Sequence, residues 1–155
     1  MDAVSLSDDA LLAWLALLRL PQTGPRSLSP LLADGHAPQQ LLKKPPAGVP
    51  EALARALRQP DWDQAEQDLK WLRESGNQFL PLGDPNYPEL LLELADPPLA
   101  LFLRGNADLL HSPQISVVGS RNASRGGLEN ARQFSQFLAT AGIVITSGMA
   151  LGIDT

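Results

Sequence analysis

Between residues 115 and 146 the sequence sets a β-branched strand, a glycine-rich turn, an amphipathic helix and, after a short return, a second β-branched strand. Ile115–Val118 carries the sharpest strand signal in the chain, and Ile143–Thr146 the next. The helix between them spans 128–141, with Leu128, Ala131, Phe134, Phe137, Leu138 and Ala141 on its expected inward face. Strands joined through a helix with so short a return must run parallel, because parallel neighbours need a crossover. The second half of the chain therefore belongs to the α/β class. A parallel sheet needs both faces covered and its open edges dealt with. Only nine residues follow Thr146, opening a turn towards a further helix over 148–155. The chain is accordingly expected to be the N-terminal part of a longer protein.

The front of the chain reads differently. Residues 6–20 predict a helix capped by Ser7, with Asp8 and Asp9 at the positive end of its dipole and Leu11, Trp14, Leu15 and Leu18 on one face. Pro21 stops it. A turn, Leu20-Pro21-Gln22-Thr23-Gly24-Pro25-Arg26, leads to a second helix through Leu28, Leu31 and Leu32 that ends at Asp34-Gly35. Gln39–Leu42 adds a helical turn, residues 43–50 (KKPPAGVP) a linker, and 50–59 and 61–75 two more helices. In the last of these, Asp61 is the expected N-cap, Gly76 the stop, and Trp62, Ala65, Leu69 and Leu72 the buried face. From residue 77 the pattern changes to short strands at 78–82 and 99–103, a short helix at 89–94 and a helical turn at 106–110. The expected organisation is a small helical domain over 1–76 followed by an incomplete α/β domain over 77–155.

Charge narrows the function classes. The 155 residues carry a net charge of −5, which argues against a generally basic nucleic-acid binder. The distribution is uneven: residues 1–99 hold eight basic and fourteen acidic side chains, whereas 100–155 hold four basic and three acidic ones. A local positive site can therefore form only in the C-terminal third. With no cysteine, disulfide frameworks, thiolate metal sites and cysteine nucleophiles are excluded. The longest apolar run, Leu11–Leu18, is too short to span a bilayer, and no signal-like segment opens the chain. A cytoplasmic protein without a membrane partner is the expectation.

Two glycine turns carry the chemistry. The first, residues 119–127 (GSRNASRGG), joins a buried strand to a helix, where glycine and serine let a ligand approach the backbone and the helix start offers unpaired N–H groups. Arg121 adds a planar cation that suits phosphate. The second, residues 146–152 (TSGMALG), also follows a strand. In a βαβ unit both turns lie at the carboxyl ends of the strands, where open α/β sheets bind ligands. Neither the dinucleotide fingerprint nor the P-loop spacing is present. On the residues alone, the crevice either holds a phosphate-bearing ligand or the turns serve only the fold. Ser124 is most simply a helix cap that leaves room for a phosphate contact. Arg125 and Arg132 read as surface charges, Asp154 as a local bond or a support for another loop, and His36 and His111 as structural residues without metal-ligand spacing. No acid–base set converges on the turns, so no catalytic residue, metal or cofactor is expected. The hairpin-like turn at 20–26 is read as structural, since Gln22 replaces the usual first glycine and its surroundings are acidic.

Tyr87-Pro88, Asp96-Pro97-Pro98 and Leu101-Phe102-Leu103-Arg104-Gly105-Asn106, followed by Val117-Val118-Gly119-Ser120-Arg121 and Ser147-Gly148-Met149-Ala150-Leu151-Gly152-Ile153-Asp154, resemble the ordered motifs of the bacterial DNA processing protein A family (DprA, also called Smf). The resemblance covers roughly residues 79–155. The helical front is similar to the sterile-alpha-motif-like (SAM-like) domain, with a helix-hairpin-helix-like turn, that precedes the Rossmann-like parallel sheet in many members. The resemblance implies a non-enzymatic protein that binds and protects incoming single-stranded DNA, loads RecA during natural transformation and recombination, and forms a homodimer through its complete Rossmann-like domain. Carried over by position, Gly119, Ser120 and Arg121, with Ser124, match the loop whose arginine meets DNA phosphate; Ser147 and Gly148 match the neighbouring turn. The family motif continues past Asp154. Two alternatives stay open: a nucleotide-processing enzyme of the phosphoribohydrolase type, whose glycine-rich loop and catalytic glutamate do not occur in these residues, and an interaction scaffold whose loops bind nothing.

Overall fold

The structure is a computed structural model that describes residues 6–155. It comprises two compact units, Met1–Gly105 and Asn106–Thr155.

The first unit begins with five helices: α1 (Asp8–Leu18), α2 (Pro25–Ala33), α3 (Pro38–Lys43), α4 (Glu51–Arg58) and α5 (Trp62–Leu72). Side-chain caps set the starts of α1 and α5 as the sequence predicts. The Ser7 hydroxyl accepts the Ala10 N–H at 3.3 Å, and the Asp61 carboxylate accepts that of Gln64 at 3.0 Å. Leu15, Leu17, Leu28, Leu41 and Leu57 are fully buried, each contributing on the order of 2 kcal/mol of apolar burial. Arg19, at the C-cap of α1, grips Asp68 of α5 with two bonds of 2.7 Å. Trp62 departs from the expected buried face and is 44% exposed. It opens the helix, and helical side chains lean towards the N-terminus, away from the packed turns.

A strand pair completes this unit. β1 (Asn77–Pro81) runs antiparallel to β2 (Ala100–Arg104), with the short helix α6 (Glu89–Leu92) between them. Phe79 and Phe102 face each other across the strands, ring centroids 5.4 Å apart; Phe79 continues to Trp14 of α1 and Phe102 to Trp71 of α5. These tilted and edge-on ring contacts bind the strand pair to the helices. They explain why the compact unit runs on to Gly105, past the composition change near residue 76.

Tyr87 accounts for part of the proline-rich stretch. It is 3% exposed, its hydroxyl donates to the Pro98 carbonyl at 2.8 Å, and burial raises its pKa. Tyr87→Phe removes that donor while preserving the ring. The expected cost is about 1–2 kcal/mol in denaturant unfolding, with an unchanged slope.

The second unit holds a 3-10 turn (Ala107–His111), β3 (Gln114–Ser116), α7 (Arg125–Thr140) and β4 (Val144–Thr146). β3 and β4 pair in parallel, Gln114 with Val144, Ile115 with Ile145 and Ser116 with Thr146, giving the expected βαβ crossover. Two three-residue strands cover only a narrow strip of α7. Ala131, Ser135 and Leu138 are half-buried, whereas Phe134 and Phe137, expected inward, are 68% and 72% exposed, and Ala141 is exposed too. Among the described residues no helix is long and apolar enough to cross a membrane.

Candidate functional site

Parallel pairing decides where the two turns go. Ser116 and Thr146 are partners at the carboxyl ends of β3 and β4, and the Val117 N–H extends the pairing to the Thr146 carbonyl at 2.9 Å. Both chains therefore leave the sheet at the same edge.

The first turn is organised by its own serines. The Ser120 hydroxyl oxygen accepts the Asn122 N–H at 3.1 Å, and Ser124 caps α7 by accepting the Gly127 N–H at 3.1 Å. A serine oxygen that accepts one bond keeps its own O–H to donate. The α7 amides of Arg125 and Gly126 lie in the first turn, where an α-helix provides no acceptor and its dipole is positive.

The second turn departs from expectation. Residues 147–155 form no helix. Met149 and Gly152 take φ values of +54° and +101°, which a right-handed helix cannot contain. The segment folds back onto the first turn instead. The Ile153 N–H donates to the Ser120 carbonyl at 3.3 Å, the Gly119 N–H donates to Asp154 Oδ1 at 3.1 Å, and the Ser147 hydroxyl donates to the Asp154 carbonyl at 2.8 Å. Both turns need glycine for this approach. A methyl on Gly152 would overlap the Ser120 carbonyl oxygen and stand 2.8 Å from Arg121 Cα; one on Gly119 would stand 2.6 Å from Ile153 Cγ1.

Gly119, Ser120 and Arg121 thus adjoin Ser147 and Gly148, with Ser124 at the start of α7. Their parts differ. The Gly119 N–H and the Ser147 hydroxyl are spent on Asp154. The Ser120 and Arg121 amides donate to no described residue, and the exposed Arg121 guanidinium has no ion pair among the described residues. Arg132 is different: it bonds Glu129 at 2.9 Å, and its guanidinium, together with the Gln133 amide, holds the Glu129 carboxyl down to about 2. That cation is committed to its own helix.

Sequence reasoning did not foresee the clasp made by Gly152, Ile153 and Asp154, although support of another loop was one of the roles open to Asp154. A second glycine only four residues after Gly148 was the available sign that this segment turns tightly. In the hairpin-like turn, Gln22 adopts φ +55°, the Thr23 hydroxyl donates to the Leu20 carbonyl at 2.9 Å, and Arg26 lies 3.5 Å from Asp96. Its cation is paired, in keeping with a structural use. No group of metal-ligating side chains occurs among the described residues.

Residues 78–155 match the family profile described as DNA recombination-mediator protein A. The protein named Smf of Escherichia coli (strain K12) is 45% identical over 89 residues, which cover 57% of this chain and 24% of that protein. The Smf protein of Synechocystis is 30% identical over 152 residues, 91% of this chain and 38% of its own. The chain therefore spans well under half the length of these relatives. The X-ray structure of DNA processing protein A from Streptococcus pneumoniae superposes with a TM-score of 0.66 at 26% identity, over 97% of this chain and 52% of that one. The ordered motifs, the profile over half the chain and the shared fold agree: this chain belongs to the DNA recombination-mediator protein A family, whose members are named DprA or Smf.

Proposed function

We propose that this chain contributes part of a single-stranded DNA-binding surface to a non-enzymatic recombination mediator, with the phosphate backbone held at the paired turns of the second unit. One observation carries this reading: two amide-bearing turns leave the same sheet edge, with the Arg121 guanidinium exposed and without an ion pair among the described residues. The donors left for a phosphate group along this turn are the Ser120 and Arg121 amides, the Ser120 and Ser124 O–H groups and the first amides of α7. Backbone amides read phosphate without reading sequence, as a protector of incoming DNA requires. The first unit is acidic and its Arg19, Arg26, Arg58 and Arg73 are paired with carboxylates. It is assigned a supporting role, while loading of RecA and homodimer formation belong to the full-length protein.

The test is fluorescence anisotropy with a labelled oligothymidylate against rising salt. Affinity should fall with salt as condensed counterions are released, with a slope of about −0.7 per phosphate neutralised on a single strand. Salt-independent binding, or none up to millimolar protein, contradicts the proposal.

A further inference from the structure

We infer that Asp154 is a positioning residue that locks the first turn through the Gly119 amide and, as an anion beside the crevice, also limits how tightly the crevice holds a polyanion. The inference rests on the DNA-binding reading for its second half only.

Asp154 makes two hydrogen bonds, one to each turn, and its carboxylate lies close to Gly148. Its Oδ1 accepts the Gly119 N–H at 3.1 Å, its backbone carbonyl accepts the Ser147 hydroxyl at 2.8 Å, and its Oδ2 lies 3.3 Å from where a Gly148 Cβ would stand. One half-buried residue therefore touches both turns. Without it, the Gly119 amide would be free to turn towards solvent, and the Ser120–Arg121 peptide would be held only through its carbonyl by the Ile153 N–H. With it, the Gly119 N–H is held on the Asp154 carboxylate, and the Ser120 and Arg121 amides follow it along the chain. A hydrogen bond to an ionised acceptor is stronger than a neutral one, which suits a lock. The same charge repels phosphate. An amide oxygen would supply the acceptor without the repulsion, so the two effects of Asp154 separate in Asp154→Asn.

Two readouts test this in the 155-residue chain. The first is hydrogen exchange of the Gly119 amide without DNA. Protection should fall in Asp154→Ala and return in Asp154→Asn, and it should be untouched in Arg121→Ala. The second is affinity for oligothymidylate. Asp154→Asn should bind about three- to tenfold more tightly than the parent, as expected for removing one anion a few ångströms from a phosphate at high effective dielectric. Asp154→Ala should bind more weakly than Asp154→Asn. Unchanged Gly119 exchange in Asp154→Ala overturns the lock. Weaker binding by Asp154→Asn with its Gly119 protection intact overturns the charge effect. Loss of DNA binding by every form, the parent included, overturns the proposed function and leaves the exchange result standing. Circular dichroism of each variant checks that the chain has folded.

Discussion

Gly152→Ala is expected to detach the two turns from each other and to abolish DNA binding at concentrations where the parent binds. The backbone at residue 152 has φ +101°, a conformation that costs an L-residue roughly 1–3 kcal/mol. The added methyl would also overlap the Ser120 carbonyl oxygen and crowd Arg121 Cα at 2.8 Å. Backbone cannot rotate away as a flexible side chain can, so relief requires the loops to separate, adding about 1–3 kcal/mol. No described residue of 106–155 is fully buried, so this unit has little packing to resist such a loss. The checks are loss of Gly119 amide protection and at least a tenfold fall in affinity. Gly126→Ala is the control for stability and Gly119 protection; its amide lies in the proposed site, so affinity is not the readout compared. A methyl there meets nothing within 4 Å, and the position lies inside α7, so stability should hold or rise slightly. Equal damage from both substitutions would show that the close approach at Gly152 is not what matters.

Arg121→Ala should weaken oligothymidylate binding about tenfold at low salt and reduce the salt slope by about 0.7, the signature of one lost phosphate contact. Arg121→Lys should recover part of the affinity, because it keeps the charge and loses the planar fork. Arg132→Ala should change affinity little, since that guanidinium is held by Glu129. A loss at Arg132 equal to that at Arg121 would indicate a diffuse electrostatic surface in place of a site.

How much of this was legible in the residues depends on the range of the interactions. Ser7, Asp61 and Ser124 announced their helices because a cap acts over three residues. The βαβ unit was legible because its short return leaves one solution. The reach of the first unit to Gly105 was not, since it depends on Trp14, Phe79, Phe102 and Trp71 meeting from four separate elements. Periodicity places Phe134 and Phe137 inward, because it finds the apolar face of a helix but not the width of what covers it. The helix expected over 148–155 failed for a similar reason. Local propensity favoured it, but Gly119 and Ser120, some thirty residues away, recruit Asp154 and Ile153 into a fold-back. The site residues were named from the residues and the resemblance, while the division of labour among them emerged only from their hydrogen bonds.

The most direct measurement of the central claim is a 1H–15N titration of this chain with oligothymidylate, read amide by amide. The expected result is that salt-sensitive shifts centre on Ser120, Arg121, Arg125 and Gly126, spread to Ser147 and Gly148, and leave α1 to α5 unmoved. Shifts centred instead on the turn at Gln22–Arg26, with residues 119–126 unaffected, would contradict it.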